Sequence, residues 1–563
     1  MWRCRCIGCN VDRDALRGVR AGDVTAASEL AIVALASALL SVVLTYPLAF
    51  QIGTVGRVDT PDGQFSIWNV AWVARTLVVD PRHVFDANIF YPHRGTLAFS
   101  ENNLGAGLLA LPVYWATRNP YAACNFVILL GFTLSAIATY YLVRYQTDDR
   151  RAAALSAVGF AFCPYAFAHT PQIQLELTAG LPFTLLAFHR LADRPSAARG
   201  AALGAVMAAQ ALCCGYYGIF AIWLVGYATC VVFVTRSLWR NTAFAAALAV
   251  GAMVAITIVL PAFWPYMSLS RANAFGRGLE QARPFSANLA AYFASSSYAH
   301  RWMLRFLPPW REVLFPGFVA ASFGIAGVWL ARHIRRAEVV VIYGGAALLA
   351  AWASFGPAGG FYVLLYKTLP VMSLLRAPAR LGIVVTLCLV VLAGMAVATI
   401  LARTQRANLL AATLIVAAIG EDVIPQQRWP AAPQVEPVYQ ALARQPRGPV
   451  IEMPVYSTDV GVHGNAKYML TSTAHWMPLV NGYSDSVPAD FRGNARALAG
   501  FPSVAAFRIL QTIGVRYVVV HLYGYKHERR DSVRQRLREF DGFLRPIYSD
   551  GRVGLYEITG FPP

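Results

Sequence analysis

Apolar residues recur along this chain in runs that a soluble core does not require. The stretches 26–50, 121–143, 152–168, 174–191, 199–215, 217–235, 241–262, 313–331, 338–355, 379–402 and 407–424 each carry few or no charges and approach the length of a bilayer crossing. They predict eleven transmembrane helices, with the carboxyl-terminal end outside. The apolar run Asn103–Trp115 has only 13 residues and contains Pro112, so it predicts an interfacial helix under a long first outer loop, 51–120. The arginines of five short loops agree with that count, whereas Arg271, Arg277, Arg283, Arg301 and Arg305 in the outer loop 263–312 run against it, longer loops being less bound by the rule. Arg144, Arg150 and Arg151, then Arg190, Arg194 and Arg199, then Arg236 and Arg240, then Arg332, Arg335 and Arg336, then Arg403 and Arg406 all fall on the side of the basic segment 1–25. If Asn103–Trp115 crossed, the later loops would change sides and the agreement would be lost. The first run is longer than a secretory core and lacks a convincing cleavage site, so it reads as a signal anchor.

Past residue 424 the pattern shortens. GPVIEMPV (448–455) and VRYVVVHLY (515–523) read as strands, and Val504–Ile513 as an amphipathic helix ending at Gly514. Ser549–Gly551 turns a hairpin whose return arm is VGLYEI. The division is thus a cytoplasmic basic amino terminus 1–25, a transmembrane domain 26–424, and a small extracytoplasmic α/β domain 425–563.

Composition sharpens the picture. With 57% apolar and 14% charged residues among 563, the chain is an α-helical polytopic membrane protein, and much of its net charge of +19 lies in short loops. Nothing in it marks a nucleic-acid partner, and no P-loop, GxGxxG unit or Ser/His/Asp triad stands in a suitable context. Six of nine cysteines lie in or beside apolar runs, where cysteine acts as a small hydrophobe. None follows Cys388, so the last domain is held without a disulfide. The cluster Cys4, Cys6 and Cys9 has metal-like spacing but no fourth ligand nearby.

The most unusual stretch is DTPDGQFSIW, Asp59–Trp68, directly after the first apolar run. Ionisable groups at a membrane face are costly to keep and point to function. Asp62, or failing it Asp59, is the candidate general base that activates an acceptor hydroxyl for sugar transfer from a lipid phosphate. The plainer reading makes Asp59 the cap of a helix starting near Gln64. Asp86 and Glu101 are candidates to hold sugar hydroxyls or a divalent cation, against a turn residue and a cap of the interfacial helix respectively. His93 could polarise a substrate oxygen or be plain loop. The segment AHTPQIQLE places His169, Gln172 and Glu176 at a helix junction, where Glu176 is either a donor contact or a satisfied buried carboxyl. In LLRAPAR, Arg376 and Arg380 flank Pro378, which suits the first turn of a helix, and their guanidinium groups would meet an outer-leaflet phosphate or ordinary headgroups. HWMPLVNGYSD, 475–485, is rich in aromatic and polar groups and is a candidate acceptor-binding stretch, or a loop over the domain core.

The strings FDANIFYPH and LAFSENNLG, FAFCPYAFAHTPQIQLE and LLRAPARLG, with the acidic first loop, resemble bacterial membrane glycosyltransferases of the GT-C superfamily, especially multi-spanning members with an outer C-terminal domain. The resemblance implies residence in the bacterial cytoplasmic membrane, a polyprenyl-phosphate-linked sugar donor, an acceptor that is a glycan, lipid or protein, inversion at the anomeric carbon, and an essential aspartate matching Asp62. Many such proteins carry adjacent acids there, whereas here Asp59 and Asp62 are split. Two other classes fit a polytopic chain. A lipid or sugar transporter would show two pseudo-symmetric halves, which are not found; a non-catalytic scaffold in envelope glycan assembly would keep the fold and not the chemistry.

Overall fold

The structure, a computed structural model, describes residues 25–273, 278–330, 337–422, 428–456 and 461–563. The basic segment before Thr25, with Cys4, Cys6 and Cys9, and the loop arginines Arg332, Arg335 and Arg336 lie outside the described residues.

Each of the eleven apolar runs contains a helix, although 152–168 breaks at Phe162–Cys163 and 174–191 at residues 177–179. Ala26–Leu44, Pro120–Thr147, Arg150–Ala168, Gly215–Arg236, Thr242–Leu269, Ala337–Ser354 and Pro378–Leu401 are long and apolar enough to cross a membrane. The other four runs fall on the shorter helices Gly180–Asp193, Ala197–Cys213, Phe318–Leu330 and Ala407–Asp422. Pro378 opens its helix, as its position between Arg376 and Arg380 predicts.

The segment 51–120 holds more structure than a loop with one interfacial helix. Besides Leu104–Thr117, it contains a 19-residue helix, Pro61–Val79. The start of that helix is written locally: the Thr60 hydroxyl accepts the Gly63 N–H at 3.1 Å, Pro61 fills the first turn, and Asp62 lies at the positive end of the helix dipole. Thr60 therefore does the capping that the plainer reading assigned to Asp59. Polar residues interrupt the apolar pattern of Pro61–Val79, yet most of it is buried, and those residues tie loops to it. Ser66 donates to the Pro171 carbonyl at 2.7 Å, Trp68 to Asn88 at 3.1 Å, and Asn69 to the Glu101 carbonyl at 3.0 Å.

The C-terminal domain is built on a four-stranded sheet of order β1-β2-β4-β3, with β1 Val450–Met453, β2 Tyr517–His521, β3 Leu544–Ser549 and β4 Val553–Ile558. β1 and β2 are parallel, and the Val504–Ile513 helix ending at Gly514 lies between them in sequence. β2 with β4 and β4 with β3 are antiparallel. β1 and β2 are buried along their whole length, which explains their nearly unbroken apolar sequence.

This sheet continues into the first loop. Residues 478–480 run beside β1, where Val450 N–H donates to Pro478 at 2.8 Å and Val480 N–H to Val450 at 2.9 Å. On its other side the same stretch exchanges main-chain bonds with 88–91: Leu479 donates to Asn88 at 2.9 Å, Tyr91 to Leu479 at 3.0 Å and Phe90 to Asn481 at 3.3 Å. The segment after it, 482–485, is thereby delivered to the amino-terminal end of Pro61–Val79.

Candidate active site

Asp62 is gripped from two sides. Gln172 Nε2 donates to Oδ2 at 2.8 Å, and the Tyr483 hydroxyl donates to Oδ1 at 2.8 Å. Burial holds the Tyr483 phenol far above its ordinary range; the negative charges of Asp62 and Asp485 push the same way and Arg376 opposes them. Tyr483 is therefore a neutral donor, and its ring meets Phe65 edge-on at 6.0 Å.

Two residues further on, Asp485 Oδ1 accepts from Arg376 Nη1 at 3.1 Å. Residues 483 and 485 can stand no more than about 7 Å apart at Cα, so one short segment ties the acid to the guanidinium. Asn481 fixes the register of that segment, exchanging hydrogen bonds with the main chain of Glu452 at 2.7 and 3.0 Å. At Gly482 a Cβ would come within 2.6 Å of the Phe90 ring, so the backbone passes only because that residue is glycine.

Arg376 lies over the Phe285 ring at 4.5 Å, its main-chain N–H reaches the Tyr216 hydroxyl at 3.4 Å, and Arg380 lies over the Tyr216 ring at 4.4 Å. Both arginines thus share the amino-terminal end of Gly215–Arg236. His169 Nε2 lies 3.4 Å from Glu312. Burial would raise the Glu312 carboxyl, but the hydrogen bond and charge of His169, the Val313 N–H and the charge of Arg380 together hold it below the ordinary range. His169 Nδ1 is 2.8 Å from the Tyr165 carbonyl.

Asp59 is engaged elsewhere. Arg57 holds its two oxygens at 3.1 and 3.3 Å and donates from Nη1 to Thr170 at 2.5 Å. The segment 169–172 therefore touches Glu312, Arg57 and Asp62 in turn. A Cβ on Gly63 would lie 1.8 Å from the Arg57 carbonyl oxygen, so glycine is what lets this turn close over Asp62.

The remaining candidates take other positions. Asp86 accepts the Gly95 N–H at 2.7 Å, a turn contact. Glu101 accepts the Gly215 N–H at 2.6 Å, so it caps Gly215–Arg236 and not the nearby interfacial helix. His93 Nε2 meets Asp490 at 3.0 Å and pins the first loop to the C-terminal domain. Glu176 is 1% exposed, and among the described residues neither carboxyl oxygen has a hydrogen-bond partner. Among the described residues, no three His, Cys, Asp or Glu side chains gather as metal ligands. Sequence reasoning missed Arg57, Glu312 and the separate duties of Tyr483 and Asp485, although the stretch 475–485 stands out by composition.

Solved structures share this architecture. Arabinofuranosyltransferase AftD from Mycobacteria superimposes with a TM-score of 0.56 at 14% identity over 96% of this chain and 40% of that one. Oligosaccharyltransferase AglB from Archaeoglobus fulgidus, in complex with an inhibitory peptide and a dolichol-phosphate, superimposes with a TM-score of 0.53 at 13% identity over 94% of this chain and 74% of that one. This is the GT-C fold. The chain spans about two-fifths of the mycobacterial protein, and at these identities the likeness is one of GT-C architecture alone. No protein-family model and no curated protein matches the sequence. The GT-C scaffold here is the helical bundle with its first-loop helices, and the four-stranded domain is joined to it through residues 478–485.

Proposed function

We propose that this GT-C protein is a membrane glycosyltransferase that moves a sugar from a polyprenyl-phosphate-linked donor to an acceptor hydroxyl at the outer face of the membrane. The observation that carries the reading is the joining of Asp62 to Arg376 through Tyr483 and Asp485. A carboxylate already accepting from a hydroxyl and a guanidinium already holding an anion are the two groups this transfer needs. A neighbour in the GT-C fold was solved with dolichol-phosphate, a lipid phosphate of that kind.

In this mechanism the acceptor hydroxyl takes the place of Tyr483 at Asp62 Oδ1. Its oxygen attacks the anomeric carbon as its proton passes to Asp62, and the bond from that carbon to the phosphate oxygen breaks with inversion. The lipid phosphate leaves with the bonding electrons, and Arg376 and Arg380 meet its charge. Gln172 holds Asp62 Oδ2, so the base keeps its orientation throughout. Asp59, paired with Arg57, shapes the turn and leaves proton transfer to Asp62. Asp86 and Glu101 accept the main-chain N–H groups of Gly95 and Gly215. His169 orders Glu312 beside Arg380.

The test is Asp62→Asn in purified protein, assayed for transfer from a radiolabelled polyprenyl-phosphate sugar extract. Loss of turnover with intact folding is expected. Unchanged turnover would remove the base, and a wild type without turnover would favour the scaffold.

A further inference from the structure

At the far end of the bundle from Asp62, four helix ends border an open hollow of about 660 Å³ lined by Tyr145, Arg190, Asp193, Arg194, Arg199 and Arg236. The carboxylates in and beside it are already engaged. Arg236 reaches Asp193 at 2.7 Å and Glu338 at 2.7 and 2.8 Å, and the Tyr145 hydroxyl donates to Asp193 at 2.6 Å. The other three arginines are left over. Arg190 lies over the Tyr145 ring at 5.8 Å, and Arg199 donates to the Arg194 main-chain carbonyl. Among the described residues, no carboxylate pairs with Arg190, Arg194 or Arg199.

Charges that only orient a membrane protein need to lie in the right loops; they need not converge. Here three guanidinium groups from the end of Gly180–Asp193, the following turn and the start of Ala197–Cys213 face one space. Guanidinium forks fit phosphate oxygens in pairs, and three unneutralised ones around a common hollow match a phosphate-bearing anion better than a carboxylate. The position fits as well. Gly215–Arg236 carries Tyr216 beneath Arg380 at one end and Arg236 in the hollow at the other, a span of about 33 Å, close to the thickness of the hydrocarbon core. We propose that Arg190, Arg194 and Arg199 form a phosphate-binding site at the membrane face opposite Asp62, one that does not depend on the reaction assigned to that residue. Phosphate at that level comes either from an anionic headgroup of the adjoining leaflet or from a soluble phosphorylated compound.

The purified full chain in detergent separates these sources, because inserted orientation then plays no part. Native mass spectrometry reads retention of added phosphatidylglycerol against phosphatidylcholine, and calorimetry reads binding of inorganic pyrophosphate. Three proteins are compared: wild type, the triple variant Arg190→Gln, Arg194→Gln, Arg199→Gln, and a control with the same loss of charge at exposed loop sites, Arg240→Gln, Arg403→Gln, Arg406→Gln. Expected are preferential retention of the anionic lipid by wild type and control and a fall of about tenfold or more in the triple variant. Pyrophosphate binding without lipid preference, lost in the triple variant, would keep the site and assign it a soluble ligand. No binding of either probe by wild type, or an equal fall in the control, would overturn the proposal. If the triple variant aggregates, the exposed single change Arg194→Gln is read in its place, and unchanged retention there would equally overturn it.

Discussion

The Tyr483 hydroxyl and the Asp62 carboxylate, 421 positions apart in the chain, meet in a hydrogen bond of 2.8 Å. One partner opens a helix of the first loop and the other belongs to the C-terminal domain, so the candidate base is assembled by tertiary structure.

Tyr483→Phe tests what that hydroxyl does. It occupies the oxygen that the acceptor must reach, and a hydrogen bond to a charged group contributes about 1.5–3 kcal/mol. The variant is expected to lower the acceptor KM by about tenfold with little change in kcat, measured in the polyprenyl-phosphate sugar assay. A loss of kcat with KM unchanged would instead make Tyr483 an orienting group for Asp62.

Arg376→Gln removes one guanidinium from the leaving phosphate and frees Asp485. Charge-assisted pairs lost at such a site cost about 1.5–3 kcal/mol, so donor use, read as kcat/KM, is expected to fall by about 10- to 100-fold. Arg376→Lys keeps the charge without the fork and is expected to recover only part of it.

Gly63→Ala places a methyl group where the Arg57 carbonyl already stands. Backbone must move, at a cost of about 1–3 kcal/mol, and the turn carrying Asp62 moves with it. Turnover is expected to drop far more than the melting temperature, because the damage is local to the site.

His475 gives the C-terminal domain a pH dependence. Burial, helped by the charge of Arg447, lowers its pKa from 6.5 to about 3, so the folded ring stays neutral where the unfolded one is protonated. The unfolded state then binds the extra proton between those values, and stability is full above about pH 6.5 and falls as the pH drops, by up to about 1.4 kcal/mol per unit. Thermal melts at descending pH are expected to show this slope in wild type and a flatter one in His475→Asn.

Much of the bundle was legible because a membrane helix must be apolar along its whole length, and that property is local. The helix Pro61–Val79 was not, since Ser66, Asn69 and Thr76 break its apolar pattern and its cover comes from protein far away in sequence. Asp62, Gln172 and Arg376 could be singled out as costly groups near a membrane face. Their connection through Tyr483 and Asp485 could not, because it depends on how the sheet docks. Glu101 shows the same limit: a carboxylate before an apolar run reads as that run's cap, whereas in space it serves a helix starting at Gly215.

The joint between the sheet and residues 88–91 is made largely of main-chain N–H and C=O groups, which every residue but proline supplies alike, with the Asn88 side chain adding bonds to Ser472 and the Met477 carbonyl. Such a seam tolerates drift in its side chains while keeping its spacing. Substitutions can therefore accumulate along much of it without disturbing the aim of Tyr483 and Asp485, and the demand for fixed identity falls on a few positions, among them Asn88, whose side chain holds Trp68, Ser472 and Met477, and Gly482, where the chain passes Phe90.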